Sequence, residues 1–482
     1  MNKLSEIQKV WRLALMLLMW ALPGYGQSGS FEEDETPPLS DADRPATESD
    51  RAGSAEASQP SIYETLIFDT PVALTTDMDP DWSGMHGQAL RETAPSGGFE
   101  RQLQSLESVQ QSISAIEFEG GAWDLGLAEN LVAMAELYSG QGAYQEAVEA
   151  YERAIHVSRV NLGLDSLEHI PTVERLIDNY VALGDWQSAD RYQEYLYYTH
   201  RKAFGLDDPR MLPVLDRLAR WKLSVFNARW GDQQGLNLIS ALRLYRIAST
   251  IVSTHFGSGD ERYFRYLRDT AGTAYLVARY QGLVAEASQP EYRIIEERYP
   301  DQSRTFSPSF IEGYEEGLDA LQLIVDSFGE EDRLTTEYAA ALNHLGDWYL
   351  LFDRRRTAGT LYAEAYGVLA AQENGDELIR EVFGKVMPLP AFSDEIETIF
   401  ISSAVSSREQ EARKIGFVDV EFAVTAYGAV TELAVLTDES LVDSRVLSSL
   451  RRKVRATTFR PIVENGEMVR SEGNRFRYRF VY

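Results

Sequence analysis

Apolar positions recur at helical spacing through most of the chain. Leu131, Met134, Ala135 and Tyr138 stand three and four residues apart, and after Gly142 the pattern resumes with Tyr144, Ala147, Tyr151 and Ala154. Such spacing lays each set along one stripe of a helix. The small Ala135 and Ala147 let the two helices approach closely, the tyrosines fill the space beside them, and Gly142 ends the first helix by accepting left-handed backbone. The text then repeats. QGAYQEAV at 141–148 returns as LGDWQSAD at 183–190, which puts Gly142 and Gly184 42 residues apart, and Leu162-Gly163 and Phe204-Gly205 keep the same interval. Self-similarity at this period marks stacked supersecondary units.

The second unit reads Val173, Leu176, Tyr180, Gly184, Trp186 and Ala189, with Gln193 where the first has an aromatic residue. A third shows Ala241, Tyr245 and Ala248 before Phe256-Gly257, and a fourth Gly317 and Ala320 before Phe328-Gly329, with 284–308 reading as an insertion. The first unit's offsets return in Leu342, Leu345, Gly346 and Tyr349, followed by Ala358, Tyr362 and Ala365. These residues resemble a tetratricopeptide repeat (TPR) in a long-helix variant, about five helical pairs over 99–383. The resemblance implies an α-solenoid whose concave surface binds protein partners and carries no chemistry.

After a polar stretch at 384–410, read as a linker, the period changes from 3.6 to 2. Val418, Val420, Phe422 and Val424 alternate with Asp419, Glu421, Ala423 and Thr425, the signature of a half-buried strand. A turn at Ala426-Tyr427-Gly428 leads to a second strand running to about Thr437, in which the spacing of Val430, Leu433 and Val435 predicts a bulge near Thr431. A helix follows, with Asp443 as N-cap and Val446, Leu447, Leu450 and Val454 as its apolar stripe. Phe459-Arg460-Pro461 ends it, and Asn465-Gly466 is a strong hairpin signal. The chain closes on NRFRYRFVY, with Phe476, Tyr478, Phe480 and Tyr482 on one face and Arg475, Arg477 and Arg479 on the other.

The order of these features over 411–482 resembles the C-terminal domain of TonB-type energy transducers: Gly416 entering strand one, Gly428-x-Val430, the Leu447/Leu450 helix, Phe459-x-Pro461, and Gly466 before the last strand. The expected fold class is therefore mainly α, a TPR-like α-solenoid followed by a small C-terminal α+β (β-β-α-β) TonB-like domain. The resemblance implies docking on the periplasmic side of outer-membrane transporters by pairing with a short extended segment of the transporter, which suits an exposed sheet edge. TonB-type proteins also carry a spanning anchor and a proline-rich spacer. A helical array stands here in the spacer's place, so the docking fold carries over more readily than energy transduction.

The N-terminus bears on the anchor. Lys3, Lys9 and Arg12 precede the apolar run LALMLLMWAL at 13–22, followed by Pro23, Gly24, Tyr25 and Gly26. That is the form of a secretory signal peptide cleaved near Gly26, and the run is far short of the ~20 residues of a spanning helix. The expected location is the periplasm, with an inner-membrane anchor facing the periplasm as the alternative. Residues 27–98 read as a disordered acidic leader and linker, in which SIYETLIF at 61–68 would form a short helix.

Composition excludes more than it identifies. With 46 Lys+Arg against 75 Asp+Glu the chain carries −29, unsuited to general nucleic-acid binding. Residues 411–482 hold 12 Lys+Arg and 10 Asp+Glu, leaving −31 on the rest. Arginines on the predicted helix (Arg451, Arg452, Arg455) and on the last strand (Arg475, Arg477, Arg479) are thus candidates for contacting an acidic partner, although a solvated face would look the same.

There is no cysteine, hence no disulfide, thiol catalysis or lipid-anchoring Cys. The six histidines (His86, His156, His169, His200, His255, His344) form no HExxH pattern, and neither GxSxG, GxxxxGK[ST] nor a strand-borne GxGxxG is present. The triplet Asp77, Asp79, Asp81 has Trp82 and Gln88 where a calcium loop needs Gly and Glu. The sequence predicts no enzyme, no cofactor, no metal and no small-molecule substrate. The expected function is a periplasmic adaptor whose repeat array holds one partner. Its C-terminal module would engage a cell-envelope protein, a TonB-dependent outer-membrane receptor being one candidate. The alternative is a membrane-anchored energy transducer.

Overall fold

The computed structural model describes residues 67–68, 71–74, 96–231, 233–286, 313–392 and 415–481. Two short strands, β1 (Ile67–Phe68) and β2 (Val72–Ala73), come first, then a 25-residue helix α1 (Ser96–Gly120). Five helical pairs follow. They are α2 (Gly126–Gly140) with α3 (Tyr144–Leu162), α4 (Ile170–Leu183) with α5 (Trp186–Phe204), and α6 (Leu212–Asn227) with α7 (Gln234–His255). In the fourth pair α8 (Glu261–Arg279) packs on α10 (Gly313–Asp326), with the short α9 (Gln281–Glu286) between them; the fifth joins α11 (Thr336–Leu351) to α12 (Arg355–Ala370). A short helix α13 (Gly375–Phe383) closes the series. Of the insertion read at 284–308, residues 284–286 end α9 and the rest lie outside the described residues.

The period seen in the sequence is a period of backbone conformation. Gly142 and Gly184 sit at φ 74° and 75°, and Gly163 and Gly205 at 93° and 84°. Left-handed backbone of this kind strains a residue with a Cβ, so the repeat needs glycine at those places. Ala135, Ala147, Ala189 and Ala358 are fully buried between helices, together with Tyr151 and Tyr362. One core runs through the array, from Ala135 to Phe392.

The remaining strands are β3 (Met387–Pro388), β4 (Ile415–Val424), β5 (Val430–Val435), β6 (Phe459–Arg460), β7 (Ile462–Glu464), β8 (Glu467–Val469) and β9 (Ser471–Val481), with helix α14 (Ser444–Ala456) between β5 and β6. In the main sheet β9 is flanked by β4 on one side and by β1 and β2 on the other, and β5 lies beyond β4; all pairings are antiparallel. α14 covers one face. Val446, Leu447, Leu450 and Val454 pack on Val418, Val420, Phe422, Val424, Phe476, Tyr478 and Phe480, and the rings of Phe422, Phe459 and Phe476 lie within 5.1–5.6 Å of one another. Asp443 caps α14 by accepting from the Arg445 amide at 2.8 Å. Asn465 and Gly466 both take positive φ in the two-residue turn joining β7 to β8. The bulge in β5 falls one residue beyond the position read from spacing, at Glu432 (φ 55°).

Three expectations need correction. The span read as leader and linker contributes two strands to the C-terminal sheet: Ile67–Phe68 is strand where the apolar run suggested helix, and α1 begins at Ser96. The pairing energy comes from β9, some 400 residues away, which no local pattern reveals. Residues 384–410 do not begin as a linker. β3 pairs with β6, the Leu389 amide donates to the Thr458 carbonyl at 2.9 Å, and Val386, Leu389 and Phe392 are buried. The module is also packed against the array rather than tethered to it, as the contacts below show. The signal-peptide region at 1–26 and the Asp77–Asp81 triplet lie outside the described residues.

Candidate docking surface

Arg460 of β6 ties the module to the array. Its Nε donates to Oδ1 of Asp347 at 2.7 Å while Nη2 donates to Oδ2, and the Tyr362 hydroxyl donates to Oδ1 at 2.8 Å. Asp347 is 0% and Arg460 5% exposed, so a bidentate ion pair between α11 and the module is sealed from water. Burial pushes the Tyr362 hydroxyl well above the usual tyrosine range, with the Asp347 charge adding to it. Around this pair the β7–β8 hairpin lies on α12. Val463 joins the array core, Met468 reaches Gly359, and Gly466 sits against Ala363. Arg355 stacks over the Tyr427 ring at 4.7 Å. Gly428, at φ 80°, holds its backbone where a Cβ would come 2.2 Å from the Phe459 carbonyl, and so lets the β4–β5 turn seat on β6.

His344, one turn before Asp347, belongs to the same neighbourhood. Burial pushes its pKa down to about 4, with the Arg460 and Arg268 charges acting in the same direction and Asp347 opposing them. A histidine kept neutral in the fold but free to protonate when unfolded favours the native state fully above about pH 6.5, and that contribution is lost as pH falls from there toward 4. Urea unfolding of the native chain and of His344→Gln between pH 7 and 4.5 is expected to show the native chain losing on the order of 2–3 kcal/mol more than the variant. Parallel losses would remove His344 from the acid sensitivity.

The candidate arginines fall into two groups on opposite faces of the module. Arg475, Arg477 and Arg479 alternate with the buried Phe476, Tyr478 and Phe480, and so lie on the sheet face away from α14. Two of them are neutralised by β4. Arg475 Nε donates to Glu421 at 2.6 Å, and Arg477 makes two bonds of 2.7 Å to Asp419, each pair directly opposite in register. That bond raises the Arg477 pKa further. Arg479 stands opposite Phe417. On α14, Arg451 pairs with Glu439 at 2.5 Å, and with Arg452, Arg455, Ser448 and Ala456 it lines an open depression. No single cationic surface unites the six.

The last strand of the module, β9, is paired on both sides. Among the described residues its register with β4 runs through nine partners from Ile415 to Val424, and with β1 and β2 through Ile67↔Val481, Phe68↔Phe480, Val72↔Arg477 and Ala73↔Phe476. The Leu74 amide adds a bond to the Arg475 carbonyl at 2.9 Å. Among the described residues no group of three or more His, Asp or Glu could hold a metal ion, and no helix is long and apolar enough to cross a membrane.

No protein-family model matches the chain, and neither does any curated protein. Solved structures do. A putative kinesin light chain from Podosopora anserina with nearly identical TPR-like repeats aligns at 17% identity over 51% of this chain and 96% of its own, with a TM-score of 0.31. A point variant of that same protein gives 17% identity, coverage of 50% and 94%, and a TM-score of 0.30. BtubC (BKLC) from P. vanneervenii gives 12% identity, coverage of 57% and 92%, and a TM-score of 0.28. With overlay scores this low, the TPR-like repeat fold of this chain stands on its own helix pairs.

Proposed function

We propose that the protein is an adaptor of the cell envelope. In this reading the TPR-like array holds one protein partner, and the C-terminal module is a TonB-like domain that docks on a second, such as a TonB-dependent outer-membrane receptor. The observation that carries the reading is the module's architecture: a helix on one face of a β5-β4-β9 sheet, with the 11-residue β9 pairing on its outer side with the two-residue strands β1 and β2. A long strand near a sheet edge accepts an extended peptide through backbone hydrogen bonds, and alternate side-chain positions give selectivity. The sequence supports it further through the ordered match over 411–482, and the form of residues 1–26 supports export to the periplasm. The buried ion pair and the hairpin on α12 favour an adaptor whose two binding parts move as one body.

The test uses synthetic peptides spanning the periplasmic segments of the source organism's outer-membrane transporters. The native chain should bind one or more of them, and Tyr478→Pro, which breaks β9 opposite Val418, should lose that binding at least tenfold while the array keeps its helical circular dichroism. Equal binding by both forms would sink the docking reading. Location is tested separately. A mature chain starting near Gln27 in the soluble periplasm fits the adaptor, whereas an intact chain in the inner membrane would favour an energy transducer.

A further inference from the structure

Helix α14 carries charge of one sign. Five of its 13 residues, Arg445, Arg451, Arg452, Lys453 and Arg455, are cations and none is a carboxylate. In a chain with 75 Asp+Glu against 46 Lys+Arg, such a helix runs against the composition. Its apolar stripe is buried against the sheet, which leaves the cations on its flanks and outward side. Ser448, Arg451, Arg452, Arg455 and Ala456 stand three and four positions apart and are neighbours on the helix surface. The short Ser448 and Ala456 form a floor, the three long arginines a rim, and together they line an open depression. Arg452 and Arg455 are exposed at that rim.

Helix stability does not account for the rim. Arg451 and Arg455 stand at i, i+4 and Arg452 and Arg455 at i, i+3, spacings at which like charges destabilise a helix. The macrodipole favours cations in the last turn, which covers Lys453 and Arg455 but neither Arg451 nor Arg452. Arg451 meets one carboxylate, Glu439 at 2.5 Å, whose side chain is 53% exposed, so the pair is open to exchange. Glu439 also displays the contact that a carboxylate from outside would make.

We propose that this depression binds an acidic segment of a partner protein, a short run of Glu or Asp whose carboxylates are held by Arg451, Arg452 and Arg455. Guanidinium groups suit the task, because their planar forks take carboxylate oxygens two at a time. Charge also selects a narrow ligand over a broad one. α14 is about 20 Å long, and fields in physiological salt reach about 8 Å, so a peptide laid on the helix meets chiefly its cations. An anionic membrane is a plane extending well past the helix, toward a chain that carries −31 outside residues 411–482, and like charge opposes that approach. The site lies on the face of the module away from Arg475, Arg477 and Arg479 and needs no strand pairing at β9. It therefore does not depend on the docking reading.

The probe is a fluorescein-labelled hexaglutamate peptide, titrated into the full chain and followed by anisotropy, with its glutamine counterpart as the neutral comparison. Arg452→Gln with Arg455→Gln removes two exposed cations from the rim. Arg470→Gln with Arg475→Gln removes two from elsewhere on the module, where each is paired with a glutamate. The native chain should bind hexaglutamate and not the glutamine peptide. The first variant should bind it about tenfold more weakly, and the second should change by less than about threefold. Equal loss in both variants would mean diffuse attraction to charge and would overturn the site, as would a native chain that does not bind. Tighter binding to vesicles of phosphatidylglycerol in phosphatidylcholine, lost in the first variant, would overturn it in favour of a membrane surface.

Discussion

Arg460→Ala is expected to destabilise the chain by about 3–5 kcal/mol, because it leaves the Asp347 carboxylate buried without its cation. Asp347 is wholly enclosed, and after the substitution its one remaining donor among the contacts described is the Tyr362 hydroxyl. Bringing the charge out of burial requires α11 to part from β6, and the β3–β6 pairing and the hairpin on α12 would loosen with it. In urea the native chain should lose array and module together, whereas the variant should lose the module first, seen as early proteolysis around β6–β8 while the helices persist. The pair itself need not add net stability. Taking two charges out of water costs several kcal/mol per ion, and replacing both with apolar residues is often neutral or better. Asp347→Leu with Arg460→Met should therefore recover more than half of the loss. An Arg460→Ala midpoint within 1 kcal/mol of native would mean that water reaches Asp347, and the sealed junction would have to be abandoned.

Arg460 also shows what a sequence can and cannot disclose. The helix pairs were legible because each depends on residues within about forty positions: Gly142 and Gly184 announce the same turn, and Ala135 and Ala147 the same close approach. The strands of the module were legible for the same reason. Val418, Val420, Phe422 and Val424 bury one face whatever lies elsewhere, and Asn465-Gly466 encodes its own turn. The Asp419/Glu421 alternation and the Arg475/Arg477 alternation were both visible, yet that they neutralise each other follows only from register. Arg460 read as part of a helix stop, since nothing near it in sequence says that its partner is Asp347, 113 residues earlier. Residues 67–74 are the extreme case. A short apolar run in an acidic leader is helix or strand according to what it meets, and β9 decides it. Of the candidate site, the six arginines were legible as residue types, and their division between two faces of the module was not.

The interior of the last repeats can be tested in the same way. Trp348 of α11 is fully enclosed, with Phe352 at 4.8 Å, Phe392 at 5.7 Å and Tyr314 at 6.2 Å between ring centroids. It lies so close to α10 that a Cβ on Gly317 would stand 2.1 Å from its ring. The indole thus joins the fourth pair, the fifth pair and the segment after α13 at one point. Trp348→Ala should cost about 3–5 kcal/mol, since the cavity is walled by helices that cannot all close on it. Trp348→Phe separates shape from hydrogen bonding. Among the described residues the indole N–H has no acceptor, so phenylalanine forfeits packing alone and should cost less than half as much. A Phe variant as damaging as the Ala variant would show that the N–H is satisfied after all. Because each unit of a repeat array contacts chiefly its neighbours, the Ala variant should also raise hydrogen exchange locally, in α10, α11 and residues 389–392, while α2 to α5 stay protected. Uniform loss of protection would instead mean that the array opens as a single cooperative unit from its first pair to the module.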